Sequence, residues 1–475
     1  HTIRQDGEFS GHVVEQTIIC VVPALANAAQ NGMIDEIEFL LASFVSAFLH
    51  IPRHRRVKLF TTLARTLGED LSVHLILFLC GQQYVEAYMK HKMGDCSALV
   101  DFASIFLQNF KAQDELKVAM KFLDLWKILP EEPLDKESTE FKDLCSRVIF
   151  GPTIMAMSKS ELYSLRKGLA SFIRHALTDA KGSNGISKLR LKIASQILQG
   201  TDTVELLDQF SALTKYLLEV INISSSQSED DEIINKFYKL LGDVLSLLPI
   251  QYYVKSVSTI MNDENTSLQT LKSIVVLTSS KFNMEHIENI YAHDGINTLV
   301  PVLLQKVNDS LDIELSQACL DTMASIFKKF NEYVDSSMMI KCLGIVSGKV
   351  GLMNEESPEL TISSINCITS IVSNVGVKMI GLFPKIMGPS LKIFNNCVEK
   401  EQESAKLIQI SILVLYSTLI KKIPNFLTPN IKDILKSIFR AQQVSDNIRM
   451  NIMETVIEYI DSKIVLSSLC GLWDY

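Results

Sequence analysis

An all-α solenoid, built of antiparallel helix pairs stacked one on the next, is the fold class this sequence predicts. Three observations carry it. Apolar residues recur at three-and-four spacing along most of the chain, the period of one helical face. Only 12 Pro and 20 Gly punctuate 475 residues, which suits helices joined by short loops. No stretch alternates apolar and polar residues over strand length. The composition, 47% hydrophobic and 21% charged, is that of a folded chain, long enough for about three compact domains or one extended repeat array.

The first helix pair surrounds "FVSAFLHIPRHRRVKLFTTLARTLG", residues 44–68. Ile34, Ile37, Leu41, Phe44, Val45 and Phe48 form one face of the leading helix. Pro52 then opens a second helix without losing a hydrogen bond, because an N–H at that position has no partner anyway. Val57, Phe60, Leu63, Ala64 and Leu67 make its buried stripe. Gly68 ends it, as a residue able to take the left-handed conformation. So short a turn makes the two helices antiparallel neighbours.

The same unit returns later. "ELSQACLDTMASIFKKF" (314–330) carries Leu315, Cys319, Met323, Ile326 and Phe330 on one face. "ELTISSINCITSIVSNVG" (359–376) carries Ile365, Ile368, Ile371, Val372 and Val375, and "KLIQISILVLYSTLIKKIP" (406–424) carries Ile408, Ile412, Leu415 and Leu419. These segments start about 45 residues apart, within the HEAT-type period. Pro301, Pro384 and Pro429 are expected to follow or open the partner helices, and Pro23 fits the same pattern. One amphipathic pair cannot bury its own apolar face, so pairs stack and the core runs lengthwise. The expectation is an α-solenoid of irregular HEAT-like antiparallel helix pairs.

Loops are expected to lengthen at 130–140, 178–187 and 222–232. The last, "NISSSQSEDDE", is the most linker-like. It divides the chain into a first helical segment, 1–222, an acidic Ser-rich loop, 223–232, and a second segment, 233–475. Ser226 and Ser228 each have an acid three residues on, a phosphorylation spacing, although acidic Ser-rich loops are common as plain solvated loops.

No constellation of catalytic residues emerges. "GIVSGKV" (344–350) lacks P-loop spacing, and Val350 replaces the hydroxyl that would hold magnesium. His50 and His54 are four apart, yet Pro52 breaks their shared face, so they read as turn histidines and not metal ligands. Nine cysteines without a C-x-x-C pair indicate a reducing compartment. The sequons at Asn222, Asn265 and Asn308 follow no signal peptide and are expected to be unused. "HLILFLC" and "SILVLY", the longest apolar runs, fall short of the ~18 residues of a membrane span. The expectation is a soluble, intracellular non-enzyme with no cofactor, metal, membrane or small-molecule substrate. Because it starts at His1, it reads as an internal section of a longer protein.

One feature resists this plain reading. The net charge is −8, yet Arg53, Arg55, Arg56 and Lys58 crowd the first turns of a helix. Positive charge there opposes the helix dipole, at ~0.3–1 kcal/mol each. Asp35, Glu36 and Glu38 sit at the far end of the preceding helix, roughly 20 Å away at 1.5 Å per residue. Arg53 or His54 is expected to donate to the carbonyls that end that helix. Arg56, four and seven residues before Phe60 and Leu63, falls on the buried row and needs a carboxylate or carbonyl from an adjacent helix. Arg55 and Lys58 should be exposed, and with Arg53 they are the candidates for contact with RNA phosphate or an acidic protein segment. The lysine pairs Lys328-Lys329 and Lys421-Lys422 fit helix C-termini instead.

This stretch, followed by "HLILFLC", resembles the large HEAT-repeat subunits of the small-subunit processome, the nucleolar particle built around the U-three small nucleolar RNA. The family carries a phenylalanine-rich helix, a His-Ile/Val-Pro-x-His-Arg-Arg turn and a helix ending in Thr-Leu-Gly. His50, Ile51, Pro52, His54, Arg55, Arg56, Thr66, Leu67 and Gly68 match it. Leu49 departs from the family's proline, and Arg53 from its glutamate, which makes this turn more basic. The motif covers about forty residues, and the rest matches only as irregular HEAT-like helices. The resemblance implies a non-enzymatic scaffold in the nucleus and nucleolus. Its implied partners are other proteins of the early, transcription-linked subcomplex and the pre-rRNA and small nucleolar RNA particle, met indirectly or through local basic patches. The implied role is 18S rRNA maturation. The alternative is a HEAT-type nuclear transport receptor or a general protein-interaction scaffold. An armadillo-type adaptor is disfavoured, because Trp126 and Trp473 cannot form a Trp array.

Overall fold

The computed structural model describes residues 33–475 except 136, 152–153, 155, 179–186, 201–202, 228–230, 265, 285–291, 354–356, 401 and 473–475, together with 16, 19 and 20. All regular secondary structure among them is helical. The described residues group into two compact units, the first ending at Pro249 and the second beginning at Ile250. Pro23 lies outside the described residues.

The first unit opens with α1 (Met33–Ser46), a 3-10 turn (Phe48–His50) and α2 (Arg53–Leu67). Ile37, Leu41, Val45, Phe48, Phe60, Leu63, Ala64 and Leu67 are all buried, whereas Phe44 and Val57 are half-buried. Gly68 ends α2 at φ +96°, ψ +121°, a backbone open to glycine though not the left-handed helical one the sequence suggests. α3 (Glu69–Met89) follows at once, then α4 (Met93–Leu107), α5 (Ala112–Ile128), α6 (Thr139–Ser146) and α7 (Lys159–Thr178). α3 is buried on most of its circumference, from Val73 to Val85, and packs against α1, α4, α5 and α7. The stretch before α6 is an irregular connection, as its prolines suggest, whereas most of 178–187 lies outside the described residues. α8 (Lys188–Gln199), α9 (Thr203–Gln227) and α10 (Asp231–Ser246) complete the unit. Helix therefore runs through 223–227 and resumes at 231, and residues 228–230 lie outside the described residues.

The second unit is more regular. One row of helices, α12 (Leu268–Met284), α14 (Ile313–Lys329), α16 (Pro358–Val375) and α18 (Glu403–Lys422), starts every 45 residues and each packs on the next. The other row holds α11 (Ile250–Asn262), α13 (Ala292–Asp309), α15 (Ser336–Val346), α17 (Phe383–Val398) and α19 (Ile431–Arg440). α20 (Asp446–Tyr459) and α21 (Ser462–Cys470) close the chain. Every stripe residue named for α14, α16 and α18 is buried. Burial of these faces against the neighbouring pair is the HEAT-repeat logic, and the fold class is an all-α HEAT solenoid.

Two details differ from expectation. Pro384 opens α17 and Pro429 precedes α19, but Pro301 lies inside α13. The apolar residues Ile296, Leu299 and Val300 are buried, so helix extends upstream of the proline despite the lost hydrogen bond. By length and composition alone, the stretches Pro358–Val398 and Glu403–Lys422 could cross a membrane. The first is interrupted by a 3-10 segment, Gly376–Leu382, and the second packs between α16 and α20.

Candidate functional site

The basic turn is built on the reversal between α1 and α2. Pro52 is the residue before the first helical position, with φ −55° and ψ 136°. The turn leaves carbonyls at Leu49 and Ile51 that α1 no longer uses. Arg56 reaches back to them. Its Nε donates to Ile51 O at 2.8 Å, and a terminal nitrogen donates to Leu49 O at 3.4 Å. The guanidinium lies over the Phe48 ring, 4.3 Å from the centroid, and Arg56 is 8% exposed. Burial holds its pKa below the ordinary value, Arg53 adds to this, and Asp95 opposes it.

The partner differs from the sequence expectation. Arg56 is on the buried row, but its carbonyls come from the turn of its own helix pair and not from an adjacent helix. Arg53 and His54, the expected donors, are exposed, as are His50 and Lys58; Arg55 is half-buried. Arg56 starts one helix and donates back to carbonyls of the turn that precedes it.

One of the distant acids pairs elsewhere. Glu38 is fully buried, and its carboxylate accepts from Arg147 at 2.5 and 3.1 Å and from the Ile149 N–H at 3.3 Å. This pair ties α1 to the segment after α6.

A second buried arginine repeats the device. Arg166, on α7, lies 4.1 Å over the Trp126 ring and donates to the Leu129 carbonyl where α5 ends. It also donates to Glu131 at 3.0 Å, while the Trp126 indole donates to the Arg166 carbonyl at 2.9 Å. Sequence reading missed it, because the partners lie 35–40 residues apart. The only available signal was an arginine among the apolar positions of an amphipathic helix.

The other motifs keep their plain roles. α15 ends at Val346, inside "GIVSGKV", and the lysine pairs lie in the last turns of α14 and α18. Among the described residues no three His, Cys, Asp or Glu side chains gather as metal ligands do.

Residues 32–274 match the family described as "HEATR1-like, HEAT repeats". The whole chain is 40% identical to "U3 small nucleolar RNA-associated protein 10" of Scheffersomyces stipitis and of Debaryomyces hansenii. It is 33% identical to the protein of that name from Saccharomyces cerevisiae. The chain spans 27–28% of the length of these relatives. Among solved structures, a complex of Kap95p with RanGDP is similar at 12% identity and a TM-score of 0.37, over 97% of this chain and 62% of that one. A likeness that low bears on neither fold nor function.

Proposed function

Since the chain belongs to the HEATR1-like HEAT-repeat family, we propose that it is a section of a non-enzymatic scaffold for small-subunit ribosome biogenesis. One observation carries this reading: the match to relatives named as U3 small nucleolar RNA-associated extends over 100% of the chain at 40% identity. It is not confined to the basic turn. The architecture suits the role, because stacked helix pairs offer long surfaces without a buried reaction chamber.

In this reading the protein works in the nucleolus, among other proteins of the particle's early, transcription-linked subcomplex, and supports assembly on nascent pre-rRNA. The basic turn divides its labour. Arg56 closes the α1–α2 reversal from inside. Arg53 and Lys58, with the half-buried Arg55, face a phosphate backbone or an acidic neighbour. The test is the double variant Arg55→Glu, Lys58→Glu in the parent protein, with particle association followed at low and physiological salt. Weakened, salt-sensitive association at unchanged thermal stability supports the contact. Unchanged association removes it.

A further inference from the structure

A cleft of about 390 Å³ opens between α3 and α7, with α10 at its edge. Its floor is Val85 and Gly168, where the two helices approach so closely that a Cβ on Gly168 would stand 2.4 Å from a Val85 methyl. On one wall the rings of Tyr84 and Tyr88 stack, 6.4 Å apart and 23° from parallel, and Tyr88 is 55% exposed. Lys167 and Lys236 line the opposite side. Lys236 is half-buried among Lys239, Lys167 and Arg174, and its pKa is lowered by burial first and then by those cations, with Glu232 opposing. Glu232 engages Lys167, and Asp243 pairs with Arg174 at 2.5 Å. Four cations thus face two acids, a local positive excess in a chain of net charge −8.

The rim residue His91 adds an independent signal. α3 ends in a Schellman arrangement, in which the His91 N–H donates to Tyr88 O at 3.0 Å and the Lys92 N–H to Ala87 O at 2.9 Å. The residue in the middle must take positive φ, and glycine fills that place at least strain. Here it is His91 at φ +55°, the one non-glycine residue with positive φ among those described. His91 lines the cleft. It thus ends α3 in a conformation that glycine takes at less strain, and does so at the mouth of a cationic, aromatic cleft.

We infer that this cleft binds an unpaired nucleotide of single-stranded RNA, with the base stacked on Tyr88 and the phosphate held by Lys236 and Lys167. A planar ring extends the Tyr84–Tyr88 stack, and every base offers such a face. An acidic peptide is the weaker fit. No Asn or Gln lines the cleft to grip a peptide backbone, and the backbone of the flanking helices is already hydrogen-bonded. The site is separate from the basic turn and does not depend on the particle-assembly reading.

The test is fluorescence anisotropy of the purified 475-residue chain with a short labelled single-stranded RNA. The same-sequence duplex and an acidic, phenylalanine-containing peptide serve as competitors. The single strand should bind more tightly than the duplex. Tyr88→Ala should weaken binding roughly five-fold or more, while Tyr88→Phe retains it. Lys236→Gln should weaken it and flatten its salt dependence. His91→Gly should raise the melting temperature while lowering affinity. The inference is overturned if the intact chain binds no single strand, or if Tyr88→Ala and Lys236→Gln leave affinity unchanged. It is also overturned if the peptide binds more tightly than RNA through these residues. Because only synthetic RNA is used, failure here leaves the scaffold reading intact.

Discussion

The Arg56 guanidinium lies over the Phe48 ring, 4.3 Å from its centroid, while it donates to the carbonyls of Ile51 and Leu49. A residue that begins one helix thus finishes the turn that ends the previous one. Phe48 is itself buried against Phe60 and Phe102, so the cation rests on the aromatic core of the first repeat.

Arg56→Ala should destabilise the chain by about 1–3 kcal/mol, because it strands two carbonyls and uncovers Phe48. Arg56→Lys should recover only part of this, since an ammonium lacks the planar face that lies over the ring and the fixed fork of donors that spans the two carbonyls. Urea denaturation of the two variants checks both the sign and the order.

The equivalent cluster at Trp126 predicts a parallel loss. Trp126→Phe keeps most of the apolar volume but deletes the indole donor to the Arg166 carbonyl. The expected cost is about 1–2 kcal/mol, read as a lower thermal midpoint. An unchanged midpoint would mean that this bond contributes nothing net.

Glycine packing at the α3–α7 crossing gives a third prediction. A Cβ at Gly168 would meet Val85 at 2.4 Å, and one at Gly81 would meet Leu169 at 2.7 Å and Phe172 at 3.1 Å. Gly81→Ala and Gly168→Ala should each lower stability by roughly 1–3 kcal/mol through overpacking, despite alanine's better helix propensity. Combining Gly168→Ala with Val85→Ala should restore part of the loss.

Acid sensitivity follows from His74 on α3. Burial first, then Lys121 and Arg147, lowers its pKa to about 4, against opposing Asp124 and Asp70. Its Nδ1 has no hydrogen-bond partner among the described residues. The unfolded chain takes up this proton near pH 6.5, and the folded chain only near 4. Between those values the unfolded state binds more protons, so the contribution is intact above pH 6.5 and is lost as pH falls toward 4. The loss is on the order of 3 kcal/mol. Denaturation midpoints across that window should fall less steeply in His74→Asn than in the unaltered chain.

How far the sequence could be read depended on range. The stripes of α14, α16 and α18 were legible because helix period and repeat period are both local patterns, and burial followed them residue by residue. Arg56 was legible as buried for the same reason, through its register with Phe60 and Leu63. Its partners were not, because the 3-10 turn at Phe48–His50 aims two carbonyls back across the reversal. Arg166 with Trp126, Glu38 with Arg147, and the cleft joining Tyr88 to Lys236 all unite distant residues. Nothing in local periodicity encodes those meetings. Pro301 shows the converse, a strong local breaker overridden by the burial of its neighbours.

The most direct test of the scaffold account is pulse-labelling of ribosomal RNA after depletion of the protein that carries this chain, with rescue by the intact protein or by one lacking this section. The account predicts that 18S rRNA production fails on depletion while large-subunit rRNA continues, and that only the intact protein restores it. Normal 18S production after depletion, or full rescue without this section, would contradict it.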